Sequence, residues 1–132
     1  MTEDALAFQP AWQIAERIRG GDLSPVEATE YFLGRVAKLD GMLNAFITVA
    51  GDQALEAARA AEKRLAEGGD VPPLMGVPIG LKDLEMMAGM RSTMGSPALK
   101  DHVPETDSVV AERVRASGAI IIGKTSTPEI GI

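Results

Sequence analysis

Lys82 closes the apolar run Gly76-Val-Pro-Ile-Gly-Leu-Lys-Asp83, a position that opens two chemistries to its amine. An ammonium at the end of a buried strand is costly unless it is paired or gives up its charge. It can snorkel to the surface and pair with Asp83, or it can sit neutral and accept a proton. A second stretch, Gly89-Met-Arg-Ser-Thr-Met-Gly-Ser-Pro97, sets small hydroxyl residues between glycines. Such a segment lets backbone approach a ligand closely, or is an ordinary surface loop. A third, Gly118-Ala-Ile-Ile-Ile-Gly-Lys-Thr125, matches the phosphate-loop pattern GxxxxGK with Thr after it. A phosphate loop needs open backbone after a strand and a helix behind it. Here Ala and three Ile fill the middle, a helical stretch precedes Gly118, and Pro128 breaks any helix after Lys124. The segment reads instead as a helix cap, a buried strand and a turn.

The remaining composition narrows the chemistry. The 132 residues contain no cysteine, which removes a thiol nucleophile, a disulfide and a cysteine zinc site. His102 is the single histidine, so a His-based triad would need residues from outside the chain. No metal or cofactor is called for. The net charge of −6 argues against nucleic acid and against an anionic membrane surface as partners. No apolar run approaches the ~20 residues of a membrane span. The opening MTEDALAF lacks the basic start and apolar stretch of a leader, so the expected compartment is the cytoplasm.

The elements that would carry these residues alternate. Residues 10–19 read as a short helix stopped by Gly20-Gly21. Ser24, Pro25 and Glu27 mark the start of the next, with a capping box and proline at its first position. Val26, Leu33 and Val36, with Phe32 and Leu39, supply its apolar face, and Asp40-Gly41 is the expected end. Residues 44–50 read as a strand and 52–67 as a helix closed by Gly68-Gly69. After the extended Val71-Pro-Pro73, a strand is expected at 77–81, then loops through Pro104, a helix over 107–117 and a buried strand at 119–122. The alternation indicates α/β architecture.

Taken in this order, GVPIGLKD (76–83), GMRSTMGSPAL (89–99), DSVVAERVRASGAIIIGKT (107–125) and TPEIG (127–131) resemble the amidase-signature family. The resemblance implies the amino-terminal portion of that fold, a mixed sheet covered by helices. Residues 1–73 would be a helical leading region and 74–132 the start of the signature core of one domain. It implies hydrolysis of a carboxylic amide to a carboxylate and ammonia or an amine. The family uses a lysine, a bridging serine held by a cis peptide, and a nucleophilic serine. Lys82 matches the lysine. The serines belong to a later glycine- and serine-rich segment, and Ser92, Ser96, Ser108, Ser117 and Ser126 lack its flanking pattern. Thr93, Met94 and Gly95 would line the approach to the site. Asp83 would orient backbone or Lys82, and Gly123–Glu129 would support the sheet and a turn. Ser126 stands where many relatives have asparagine.

In this reading Lys82 is a general base, neutral because burial disfavours its charge, and worth roughly 10²–10⁴-fold in rate. The implied partner is a small-molecule amide, and the sequence leaves room for a homo-oligomer. TPEIG is more similar to general amidases than to the amidotransferase component that acts on misacylated tRNA, where an aspartate usually precedes the glutamate. Two expectations concern the chain as a unit: it is a truncated piece, inactive alone, and the strand at 119–122 lacks the later strands that would flank it, leaving apolar edge and face uncovered. The alternatives are a non-catalytic binding or assembly module on the same layer, an amidotransferase A-type subunit, or, on GAIIIGKT alone, a nucleotide-binding domain.

Overall fold

The computed structural model describes residues 6–132. The acidic opening Met1–Ala5, part of the stretch that lacks a leader's features, lies outside the described residues. Helix α1 (Ala11–Gly20) ends on Gly21, whose φ of 81° supplies the left-handed turn that glycine adopts without strain. Helix α2 (Pro25–Leu43) begins with the expected capping box: Ser24 Oγ accepts from Glu27 N at 3.0 Å, and Ser24 N donates to Glu27 Oε2 at 2.9 Å. It does not stop at Asp40-Gly41. The Asp40 carboxylate instead accepts from Ala45 N and Phe46 N, and the left-handed turn falls on Asn44, φ 51°. Asn tolerates that conformation better than most residues, so the helix gains a turn.

Strand β1 (Phe46–Val49) is followed by α3 (Gly51–Glu67), then β2 (Pro78–Lys82), α4 (Val109–Ala116) and β3 (Ile120–Thr125). Helix α4 starts two residues later than expected. Ser108 is its cap, accepting from Ala111 N at 3.2 Å, while Asp107 accepts from Ala88 N and pairs with Arg115 at 2.8 Å.

The sheet order is β1-β3-β2, with β1 antiparallel and β2 parallel to β3. This corrects the expectation of an uncovered edge at 119–122. The strand there is central, because β1 from the leading region supplies one neighbour and β2 the other. It also runs on through Gly123, Lys124 and Thr125, where the sequence suggests a turn. Alternate residues of β3 face opposite layers. Ile120 and Ile122 pack with Ala54, Ala58 and Ala61 of α3, whose small side chains let the helix lie close to the sheet. Ile121 packs with Leu81, Met87, Met90 and Ala111, on the side of α4. The face of that strand is covered as well, with Ile120, Ile121 and Ile122 all buried. The sheet opens instead at an apolar hollow of about 330 Å³ between α2 and the sheet, lined by Phe32, Val36, Leu39, Leu43, Phe46 and Gly80.

Candidate active site

Lys82 is the last residue of β2, paired in register with Thr125 of β3. Its side chain is exposed among the described residues, whereas Leu81 and Asp83 on either side are buried. By the period of two, Lys82 shares a face of β2 with Gly80, which lines the apolar hollow. The desolvation expected for its amine is therefore not supplied by these residues. Its backbone is held firmly all the same. Glu85 N donates to the Lys82 carbonyl at 3.0 Å, and Asp83 N donates to Thr125 O at 3.0 Å.

Asp83 does not pair with Lys82. It is fully buried, and its carboxylate accepts from Thr93 N, from Thr93 Oγ1 and from Lys124 Nζ at 3.1 Å. Lys124 is equally buried. Its amine also donates to Ser92 Oγ at 2.9 Å and to the Glu85 carbonyl. An ammonium has three N–H donors, and each of these meets a protein acceptor. An apolar surrounding makes such a pair costly to leave half-made, which is why every lone partner here is matched.

The loop after β2 is drawn onto the same network. Met94 N donates to the Asp83 carbonyl at 3.1 Å, and Gly95 N donates to Thr93 Oγ1. Thr93 is buried with its hydroxyl committed to Asp83, while Met94 and Gly95 are half-buried. Thr93 and Gly95 border a hollow of about 190 Å³ with Ile47, Arg91, Ser96 and Lys100. On its other side the loop meets the last block: Ile130 N donates to Met94 O at 2.7 Å, and Ser96 Oγ donates to Glu129 at 2.7 Å. A Cβ on Gly95, φ 68°, would lie 2.7 Å from the Thr127 carbonyl, so glycine is required for this closure. Asp83, Thr93, Met94, Gly95 and Glu129 are thus brought into one connected patch beside Lys82.

The phosphate-loop pattern dissolves in the same geometry. Its second glycine, Gly123, sits where a Cβ would come within 2.2 Å of Thr48 O, so it admits β1 and not a phosphate. Its first, Gly118, has φ 81° and packs on Met75 after α4. Its lysine is Lys124, whose donors are spent inside the protein. Among the described residues no group of three or more His, Asp or Glu is placed to hold a metal ion, and no helix is long and apolar enough to cross a membrane.

Sequence reasoning missed Lys124 and Ser92. Strict alternation would set Lys124 on the face of Ile120 and Ile122, beneath α3. A register shift opposite Ile79–Gly80 places it beside Leu81, on the side of α4 and Asp83. The one available signal was a lysine close behind three isoleucines of a buried strand, which demands a partner carboxylate nearby.

The fold and site define a mixed α/β layer with a lysine mounted at a strand end over a buried Lys–Asp pair. Comparison with known proteins gives this layer a family. The Amidase family model matches residues 27–132, and the chain belongs to the amidase family, that of the amidase-signature enzymes. It is 40% identical over 120 residues to the A subunit of glutamyl-tRNA(Gln) amidotransferase from Geobacter sulfurreducens, covering 91% of this chain and 24% of that protein. It is also 40% identical over 128 residues to the protein of the same name from Nocardia farcinica, covering 96% and 26%. Among solved structures it superimposes on the peptide amidase of Stenotrophomonas maltophilia with a TM-score of 0.87 at 32% identity, covering 95% of this chain and 26% of that one. A bacterial aryl acylamidase of the amidase-signature family gives 0.86 at 31%, covering 93% and 26%. The chain spans about a quarter of the length of these relatives.

Proposed function

We propose that these residues are the amino-terminal part of a single amidase-signature domain, and that the full-length enzyme hydrolyses a carboxylic amide with Lys82 as its general base. The observation that carries this reading is the mounting of Lys82. Its backbone is fixed by the β2–β3 ladder and the turn beyond it, while its side chain emerges on the face of β2 that the sheet leaves open. A further layer covering the apolar hollow would cover the amine with it, and burial then favours the neutral form that can accept a proton. A serine hydroxyl is a weak nucleophile until a base takes its proton. Lys82 receives that proton through a bridging serine, the nucleophilic serine attacks the carbonyl, and the proton returns to the departing amine as the C–N bond breaks. Water, giving its proton to the same relay, then attacks the acyl-serine, and the serine oxygen takes that proton back as the carboxylate leaves. Both serines come from the remainder of the enzyme. Met94 and Gly95, held by Asp83 on one side and Ile130 on the other, border the approach of the amide. Thr93 holds that border from beneath. The enzyme works in the cytoplasm on a small-molecule amide, and the 132-residue chain by itself does not turn over.

The test is Lys82→Ala in the full-length enzyme, with ammonia release from simple amides as the readout. Activity falls by at least ~10²-fold, the scale of a lost general base, while the protein stays folded. Near-normal turnover would remove the assignment.

A second reading, an amidotransferase A-type subunit, draws support from the 40% identity to such subunits. Pro128, standing before Glu129 where that protein usually has aspartate, weighs the other way. Release of ammonia from glutamine that depends on partner subunits would favour it over the general amidase. A stable, soluble oligomer with no amidase activity in the full-length protein would favour an assembly module instead.

A further inference from the structure

We infer that Lys124 is a positioning residue for Lys82, an inference that rests on the general-base role proposed for Lys82. One amine braces the turn after Lys82 from within, beside the backbone bonds that Glu85 N makes to the Lys82 carbonyl and Asp83 N makes to Thr125 O. Lys124 Nζ holds the Asp83 carboxylate at 3.1 Å and the Glu85 carbonyl, so it spans both sides of Leu84. Glu85 N in turn donates to the Lys82 carbonyl. The third bond, to Ser92 Oγ at 2.9 Å, ties this turn to the segment leading into the loop at Met94 and Gly95. Ser92 extends the hold: its hydroxyl donates to Met90 O and accepts from Met87 N. Asp83 passes it to Thr93 N. Lys124, Asp83 and Ser92 are fully buried and Thr93 is 1% exposed, so these side chains offer almost no surface for a ligand to touch directly. What they control is where the backbone of residues 82–85 stands relative to the loop at 93–95, and hence where the Lys82 amine points.

Near-attack geometry is sensitive to such support, and a misplacement of ~1 Å costs on the order of 10²-fold in rate. The experiment is a double-mutant cycle in the full-length enzyme with Lys82→Ala, Lys124→Met and the two combined. Methionine keeps much of the length of the side chain and removes its donors. Lys124→Met is expected to lower kcat by on the order of 10–100-fold with KM little changed, since no group that binds substrate is lost. The double variant is expected to be no slower than Lys82→Ala alone, because Lys124 acts through Lys82. If Lys124→Met does not yield folded protein, Ser92→Ala removes one of the three acceptors and is expected to lower kcat with the fold intact. Lys82→Ala acting at the normal rate would remove the general-base reading and this inference with it. Loss of activity in Lys82→Ala, with kcat unchanged in Lys124→Met or in its Ser92→Ala substitute, would overturn the inference alone. So would a rise in KM without a fall in kcat, or losses that multiply in the double variant.

Discussion

Lys124 Nζ lies 3.1 Å from Asp83 Oδ1, and neither side chain has any exposed surface. The pair joins β3 to the end of β2 across the sheet. Breaking a buried pair by removing one partner leaves an uncompensated charge, at a cost of about 3–5 kcal/mol. Lys124→Met is therefore expected to lose about that much stability in urea unfolding. Lys124→Met combined with Asp83→Asn, which keeps an acceptor for Thr93 N, is expected to lose less than Lys124→Met alone. Simple addition of the two losses would show that the pair is not coupled.

Lys82 gives the opposite expectation. Its side chain is exposed, so Lys82→Ala in this chain should change stability by no more than about 0.5 kcal/mol. A thermal melt checks this, and a large drop would mean the lysine holds the fold.

Gly123 is required by β1. A Cβ 2.2 Å from Thr48 O cannot be accommodated without moving that strand. Gly123→Ala is expected to cost at least about 1–3 kcal/mol, as overpacking does. Faster hydrogen exchange at the amides that join β1 to β3 would locate the damage, and unchanged exchange there would contradict it.

Nucleotide should have no effect. With Lys124 enclosed and residues 120–125 in a strand, ATP with Mg²⁺ is expected to produce neither heat on titration nor a shift in melting temperature. A saturable signal would reopen the phosphate-loop reading.

Much of this organisation is legible in the residues themselves. Ser24, Pro25 and Glu27 announce the start of α2 because a capping box is local chemistry. The amidase resemblance rests on four blocks in order, and the family match includes all of them. What escapes is what depends on distant partners. Asp40 looks like a helix terminator, yet its carboxylate serves the chain beyond Asn44. Gly123 and Lys124 look like a turn because nothing local reveals that β1 lies alongside them. The register shift that turns Lys124 toward Asp83 arises between two strands, so neither strand states it alone. Asp83 beside Lys82 suggests a pair. Three-dimensional packing gives the carboxylate to a lysine far along the chain.

The placing of β3 between β1 and β2 has a consequence for how the molecule is made. During synthesis both outer strands leave the ribosome first, and they do not pair with each other. Each must wait with unsatisfied backbone until residues 120–125 arrive to zip between them, a closure over long stretches of chain that favours slow assembly. The nascent polypeptide thus passes through an interval in which its proposed base has no fixed address. Chaperone demand should be greatest then, and should fall once that last segment is in place.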